Sequence, residues 1–113
     1  MIKIVKNSIS KEELRNIAKN QFGDFVKAVV DIEKEIIAIG GELHADEEAL
    51  LLEGSSQQKN LWGINIYPDK QEEERIEFDS MINVRPAQEN RSRDVESLEI
   101  QRKIRNIVNK LIL

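Results

Sequence analysis

Residues 25–32 read Phe-Val-Lys-Ala-Val-Val-Asp-Ile, a stretch rich in β-branched side chains that predicts a strand. Alternate residues from Val26 to Ile32 fall on one apolar face, and Lys27 falls on the other. Residues 36–39, Ile-Ile-Ala-Ile, predict a second strand that returns beside the first, and Gly40-Gly41 ends it. The pair predicts the centre of an antiparallel sheet whose apolar face needs a cover.

Two amphipathic helices are predicted, one near each end of the chain. Ser10 is a preferred N-cap with Glu13 three residues later, and an apolar stripe follows, so a helix is predicted over residues 10–22. A second stripe from Ile100 to Leu111 predicts a helix in the last segment, capped by Asp94 or Ser97. These helices can cover the apolar face of the sheet.

The remaining segments complete the predicted sheet. Strands are predicted over residues 1–6, 61–67 and 75–85, and a polar loop over residues 86–94. Residues 42–54 fit either a short helix or a pair of strands around a turn at residues 46–48, and the strand pair is favoured. The predicted fold is an α+β two-layer sandwich in a single domain, residues 1–113, with a mostly antiparallel sheet covered on one face by the N-terminal and C-terminal helices.

The composition is that of a soluble globular domain. The chain has 113 residues, of which 40% are hydrophobic and 34% charged, with no cysteine and no apolar run of about 18 residues that could span a membrane. No signal peptide is recognised, so a cytoplasmic location is the default expectation. Residues 31–79 carry a formal net charge of −10, which argues against a broad nucleic-acid surface.

The first polar cluster follows the double glycine. In an extended conformation Glu42, His44 and Asp46 would point the same way, because side chains alternate along a strand. One imidazole and two carboxylates could hold a divalent metal or transfer a proton. The plainer alternative is a charged, exposed strand end.

The second polar cluster lies on the outward face of the late strands and comprises Asn65, Glu77, Asp79, Asn83 and Arg85. Asn and Asp are poor strand formers, and such exceptions are often found at functional sites. In the simplest meander Asn65 and Asp79 are cross-strand neighbours. The alternative is a solvated sheet face.

The third polar cluster precedes the C-terminal helix. Arg91 and Arg93 flank Ser92 at a position where free helix N–H groups and guanidinium groups could bind a phosphate or carboxylate. Alternatively, these arginines pair with the acidic middle of the chain.

Five phrases of the sequence stand out: 28–32 (Ala-Val-Val-Asp-Ile), 40–51 (Gly-Gly-Glu-Leu-His-Ala-Asp-Glu-Glu-Ala-Leu-Leu), 61–65 (Leu-Trp-Gly-Ile-Asn), 78–86 (Phe-Asp-Ser-Met-Ile-Asn-Val-Arg-Pro) and 90–93 (Asn-Arg-Ser-Arg). Together they resemble a small prokaryotic family catalogued only as a domain of unknown function, over nearly the whole chain. The resemblance implies no established activity, cofactor or catalytic residue.

Two functional hypotheses follow from these clusters. The first is a small-molecule or anion-binding domain, in one form a hydrolase-like enzyme with His44 or Asp79 as the base and an arginine holding the anion. Its site, on the rim of the sheet, would combine Glu42, His44, Asp46, Asn65, Asp79, Asn83, Arg91 and Arg93. The second hypothesis is a protein–protein interaction module or a homodimer without catalysis.

Overall fold

Five strands and three helices make up the fold in a computed structural model, which describes residues 1–113. The strands are β1 (Lys3–Val5), β2 (Val26–Asp31), β3 (Ile36–Ile39), β4 (Leu61–Ile66) and β5 (Ile76–Glu77). The helices are α1 (Lys11–Asn20), α2 (His44–Glu53) and α3 (Leu98–Leu111). The strands form one sheet in the order β1-β3-β2-β4-β5, and every neighbouring pair is antiparallel. The predicted α+β class with an antiparallel sheet is therefore confirmed.

The central strand β2 is paired with β4 along its whole length and with β3 from Ala28 to Asp31. Val29 lies opposite Ala38 of β3 and opposite Gly63 of β4. The strands predicted from β-branched residues and alternation in this part of the chain are confirmed as β2, β3 and β4.

The larger core lies on one side of the sheet, called here the first face. It joins alternate residues of β2 and β4 to the apolar stripes of α1 and α3; its central members are Val26, Ala28, Val30, Trp62, Ile64, Ile66, Leu14, Ala18, Ile104, Ile107, Val108 and Leu111. Ser10 and Ser97 cap α1 and α3 through their hydroxyl groups, as the sequence predicts. None of the three helices is both long and apolar enough to cross a membrane.

The predicted strand pair over residues 42–54 is wrong, because most of this segment forms α2. The segment contains no β-branched residue and is dominated by Ala, Glu and Leu, which are strong helix formers. Leu51 of α2 packs against Val29, Ala38 and Leu61 on the opposite side of the sheet, called here the second face. A helix therefore covers part of the face that was expected to be solvated.

The predicted strand over residues 75–85 is wrong beyond Glu77, where β5 ends. The Ser80 hydroxyl accepts a hydrogen bond from the Ile82 N–H group and begins a 3₁₀ turn over Met81–Asn83. A Cβ atom built on Gly63 would lie 2.5 Å from the Ser80 Cβ atom, so this turn packs directly on the backbone of β4. The apolar alternation that continues from residue 78 to residue 84 thus describes a packed turn rather than a strand.

Side chains take the place of a strand along the edge of β4 that β5 leaves uncovered. Asn83 Oδ1 accepts a hydrogen bond from the Gly63 N–H group (2.8 Å), and Asn83 Nδ2 donates to the Gly63 carbonyl (2.9 Å). The Arg85 guanidinium donates to the carbonyls of Leu61 and Gln58. The backbone groups of β4 are therefore satisfied, as buried amides require.

Replacement of Asn83 by Ala should destabilise the fold, because the buried N–H and C=O groups of Gly63 lose their partners. A loss of about 2–4 kcal/mol in the free energy of unfolding is expected, measured by urea denaturation. Asn7→Ala, at an exposed position, is the matched control and should change stability by less than about 0.5 kcal/mol. Equal urea midpoints for Asn83→Ala and the parent would contradict this role.

Candidate functional site

A cleft of about 190 Å³ opens on the second face, where the first turn of α2 meets the loop that follows β5. We call it the α2 cleft. Its lining combines one residue of β2, the start of α2 and residues of the loop: Lys27, Leu43, His44, Ala45, Ser80, Met81, Ile82 and Arg93. The cleft therefore joins three segments that are distant in the sequence.

His44, the only histidine, forms part of the wall of the α2 cleft and is 8% exposed. Its Nε2 atom lies 2.8 Å from the carbonyl oxygen of Ile64. Burial lowers the pKa of His44, so the ring is neutral at pH 7. Because a carbonyl only accepts hydrogen bonds, the proton resides on Nε2. Nδ1 is left as an acceptor that forms no hydrogen bond within the protein.

Two backbone N–H groups in the first turn of α2 form no hydrogen bond within the protein. Leu43 occupies the N-cap position and provides no side-chain cap, and the N–H groups of His44 and Ala45 have no partner in the protein. The N-terminal end of a helix carries a partial positive charge in addition to these free donors. Both residues line the α2 cleft, so the cleft contains a feature suited to an anion.

The two cations of the cleft differ in their partners. Arg93 Nε donates to Asp79 Oδ1 at 2.5 Å, so that charge is already balanced by a carboxylate. Lys27 is half-buried and forms no ion pair, and its Nζ atom lies 5.1 Å from the centroid of the Phe22 ring. Lys27 is therefore the uncompensated positive charge of the cleft.

Three of the residues singled out in the sequence come together here. His44 and Arg93 line the α2 cleft, and Asp79 joins them through its ion pair with Arg93. The charges of Asp79 and Arg93 both act on the pKa of His44, although burial has the larger effect. Sequence reasoning did not identify Lys27, whose approach to His44 depends on the packing of α2 against the sheet.

Glu42, His44 and Asp46 do not share one face, and the extended arrangement predicted for them is wrong. Glu42 and Asp46 are exposed, whereas His44 is buried at the start of α2. No group of three or more His, Cys, Asp or Glu side chains lies close enough together to hold a metal ion.

Asn65 lies opposite Glu77, so the predicted cross-strand pairing of Asn65 with Asp79 is wrong. Asn65 Nδ2 donates to Glu77 Oε1 at 2.8 Å. Asn83, also a predicted ligand-binding residue, uses its amide to bond Gly63 and the Arg93 carbonyl. Its contacts are therefore structural.

The amides predicted to bind an anion around Arg91 are occupied by the protein itself. Glu96 Oε2 accepts hydrogen bonds from the N–H groups of Arg91 and Ser92 and from the Ser92 hydroxyl, each at 2.8 Å. The Ser92 and Arg91 donors lower the pKa of Glu96, as expected when the charged form is stabilised. Arg91 does not line the α2 cleft.

Glu47 is an unusual residue that the sequence reasoning missed. Its side chain is 0% exposed, Oε2 accepts a hydrogen bond from the Gly41 N–H group, and Oε1 is buried without a partner. Burial raises the pKa of Glu47 to about 9, so the carboxyl is protonated at pH 7. Glu47 lies one helical turn after His44, and this relation is visible only if residues 44–53 are recognised as a helix.

Comparison with known proteins gives one match. A family model described as "Protein of unknown function (DUF5674)" matches residues 3–111. No curated protein and no solved structure shows a significant match to the chain.

Replacement of Glu47 by Gln should make the protein more stable at alkaline pH. The unfolded chain releases the Glu47 proton near pH 4.5, whereas the folded protein holds it up to about pH 9, so stability falls as pH rises between these values. The amide side chain of the variant has no proton to release, so Glu47→Gln should be more stable than the parent by about 1–3 kcal/mol at pH 8.5 and show a flatter pH dependence. Urea denaturation at a series of pH values measures this, with exposed Glu12→Gln as the control. Parallel curves for parent and Glu47→Gln would show that Glu47 ionises normally.

Proposed function

Because the chain belongs to the DUF5674 family, whose description assigns no activity, we propose its function from the site: an anion-binding domain whose α2 cleft holds a small phosphate or carboxylate group. One observation carries the proposal. The cleft is lined by Lys27, which forms no ion pair, and by His44 and Ala45, whose backbone N–H groups have no hydrogen-bond partner.

The backbone donors supply direction. Free N–H groups at a helix N-terminus point along the helix axis and combine with its dipole, an arrangement that binds oxyanions in many proteins. The ten-residue helix α2 is long enough for this effect, and no side chain caps it. An oxyanion at this position would act as the missing cap.

The side chains supply charge and selectivity. Lys27 can balance one negative charge, whereas Arg93 is already paired with Asp79. His44 is neutral, and its free Nδ1 atom could accept a hydrogen bond from a protonated phosphate oxygen. The whole chain carries a formal net charge of −4, which disfavours long polyanions and favours a small anion.

Binding is better supported than catalysis. Of the two bases predicted for a hydrolase-like activity, Asp79 is held by Arg93, and His44 is held through Nε2 by the Ile64 carbonyl. His44 Nδ1 and Asp79 Oδ2 have no protein partner, and no serine hydroxyl forms a hydrogen bond with either atom, so neither base is paired with a nucleophile of the protein. We therefore propose a binding domain rather than a hydrolase.

An interface between two copies of the chain is the second candidate function. Leu43 is 56% exposed and Met81 is 65% exposed, and both border the α2 cleft. Light scattering tests this candidate. A dimer should have twice the 13.0 kDa mass of the chain, and the Met81→Glu variant should have the monomer mass. A monomeric parent protein would remove this candidate.

Replacement of Lys27 by Met should weaken phosphate binding about tenfold, because one charge-assisted contact is lost while the aliphatic stem is kept. Titration with inorganic phosphate, followed by NMR, should shift the amide signals of His44 and Ala45 in the parent. Lys70→Met is the matched control, since Lys70 also lies over an aromatic ring, at 4.3 Å from the Tyr67 centroid, but does not line the cleft. If neither amide moves at phosphate concentrations up to about 0.1 M, the proposal fails.

A further inference from the structure

Helix α2 is attached to the sheet by a smaller apolar core than the other two helices. Its buried side chains are those of His44, Glu47 and Leu51, so Leu51 is the one apolar residue among them. Leu51 belongs to a core of four buried residues on the second face, whereas α1 and α3 pack into a core of nineteen on the first face. Segments with few buried apolar contacts open more readily than the rest of a protein. We therefore expect α2 to open at a lower free energy than α1, α3 or the sheet.

Two side-chain hydrogen bonds attach α2 to the rest of the protein in addition to the packing of Leu51. His44 Nε2 donates to the Ile64 carbonyl at 2.8 Å, and Glu47 Oε2 accepts from the Gly41 N–H group at 2.9 Å. No side chain of α2 forms an ion pair. The state of the Glu47 carboxyl therefore affects one of the few attachments that this helix has.

The Glu47 carboxyl lies where a negative charge is poorly stabilised. The residue is 0% exposed, Oε2 has a single hydrogen-bond donor and Oε1 has none. Gly41 packs so closely against this side chain that a Cβ atom on the glycine would lie 2.8 Å from Glu47 Cγ. A buried carboxylate needs several donors or a cation to offset its loss of hydration. The attached position of α2 therefore fits the protonated carboxyl better than the ionised one.

The charged groups that face Glu47 do not supply this compensation. Helix α2 packs against β2, β3 and the 3₁₀ turn over Met81–Asn83, and neither β3 nor the turn contains an ionisable residue. Strand β2 contributes Lys27 and Asp31, of which Lys27 acts on the pKa of Glu47 and lowers it. Asp46 of α2 acts in the opposite direction, and burial has a larger effect than either charge. Lys27 forms no ion pair with Glu47, so the ionised carboxyl has no cationic partner in the attached helix.

We infer that Glu47 makes the attachment of α2 to the second face depend on a proton. With the carboxyl protonated, α2 is closed over the sheet; loss of the proton favours opening of α2 as a unit while α1, α3 and the sheet stay folded. This inference does not rest on the proposed anion site, because it uses the core contacts of α2 and not the α2 cleft.

The direction of the pH dependence follows from the two states of Glu47. In the closed helix burial raises the pKa of Glu47 to about 9, whereas in the opened helix the hydrated carboxyl has its ordinary pKa near 4.5. Opening therefore releases a proton between these pH values. The equilibrium constant for opening should rise about tenfold for each pH unit in this range, so α2 is most firmly attached at acid pH and least firmly at alkaline pH.

Hydrogen exchange of the full chain, followed by NMR between pH 5.5 and 8, tests this inference. Dividing each exchange rate by the intrinsic rate of that amide gives the opening constant; Leu50 and Leu51 report on α2, and Ile107 and Val108 report on α3. We expect a larger opening constant for α2 than for α3, rising about tenfold per pH unit. Urea at about 1 M should leave the α2 constant nearly unchanged, because a local opening exposes little surface, and should increase the α3 constant.

Two variants show whether Glu47 is the responsible group. Glu47→Gln, which has no proton to release, should reduce the pH dependence of the α2 opening constant to less than about twofold per pH unit. Glu53→Gln, at an exposed position of the same helix, is the matched control and should retain the tenfold dependence.

Three results would overturn the inference, and two of them need only the parent protein. The first is an α2 opening constant that does not change with pH. The second is equal opening constants and equal urea responses for α2 and α3, which would mean that the whole domain unfolds together. The third is a tenfold pH dependence that survives in Glu47→Gln, because another group would then release the proton.

Discussion

The free edge of β4 is the constraint on which this structure depends. Strand β5 ends at Glu77, so the Gly63 backbone would be buried without partners if no other group reached it. The Asn83 amide makes both missing hydrogen bonds and also donates to the Arg93 carbonyl at 3.0 Å. One side chain therefore closes the sheet and fixes the loop that forms one wall of the α2 cleft. Asn83 therefore positions one wall of the α2 cleft, although it does not line the cleft itself.

The opposite wall of the cleft depends on a second buried polar side chain. A Cβ atom on Gly41 would lie 2.8 Å from Glu47 Cγ, so only glycine leaves room for this carboxyl, which binds the Gly41 N–H group. That contact ties the segment before α2 to the first turn of the helix, which also contains His44. The two walls of the cleft are thus set by Asn83 and Glu47, and both are core residues.

Local patterns predicted those parts of the fold whose structure is local. Ser10, with the stripe that follows it, predicts α1, and β-branched alternation predicts the three central strands. The same reasoning failed for residues 78–85, because the apolar spacing of a packed turn imitates a strand and the deciding partner, Gly63, lies about 20 residues earlier. In the site, His44, Asp79 and Arg93 were identified from the sequence, but Lys27 was not, since only tertiary packing brings it to α2. The anion site predicted at the Arg91 amides is wrong because the anion they bind is the protein's own Glu96.

Burial keeps the two buried ionisable groups of the first turn of α2, His44 and Glu47, uncharged at neutral pH. It lowers the pKa of His44, which is then deprotonated, and raises the pKa of Glu47 to about 9, which stays protonated. The positive potential of the cleft therefore comes from Lys27 and the helix N–H groups. When Glu47 ionises, its negative charge reduces that potential. A bound anion would repel the ionised form of Glu47 and hold its proton more tightly, so anion binding and protonation favour each other. The same buried carboxyl that fixes the helix thus adds no negative charge of its own beside the proposed anion site at neutral pH.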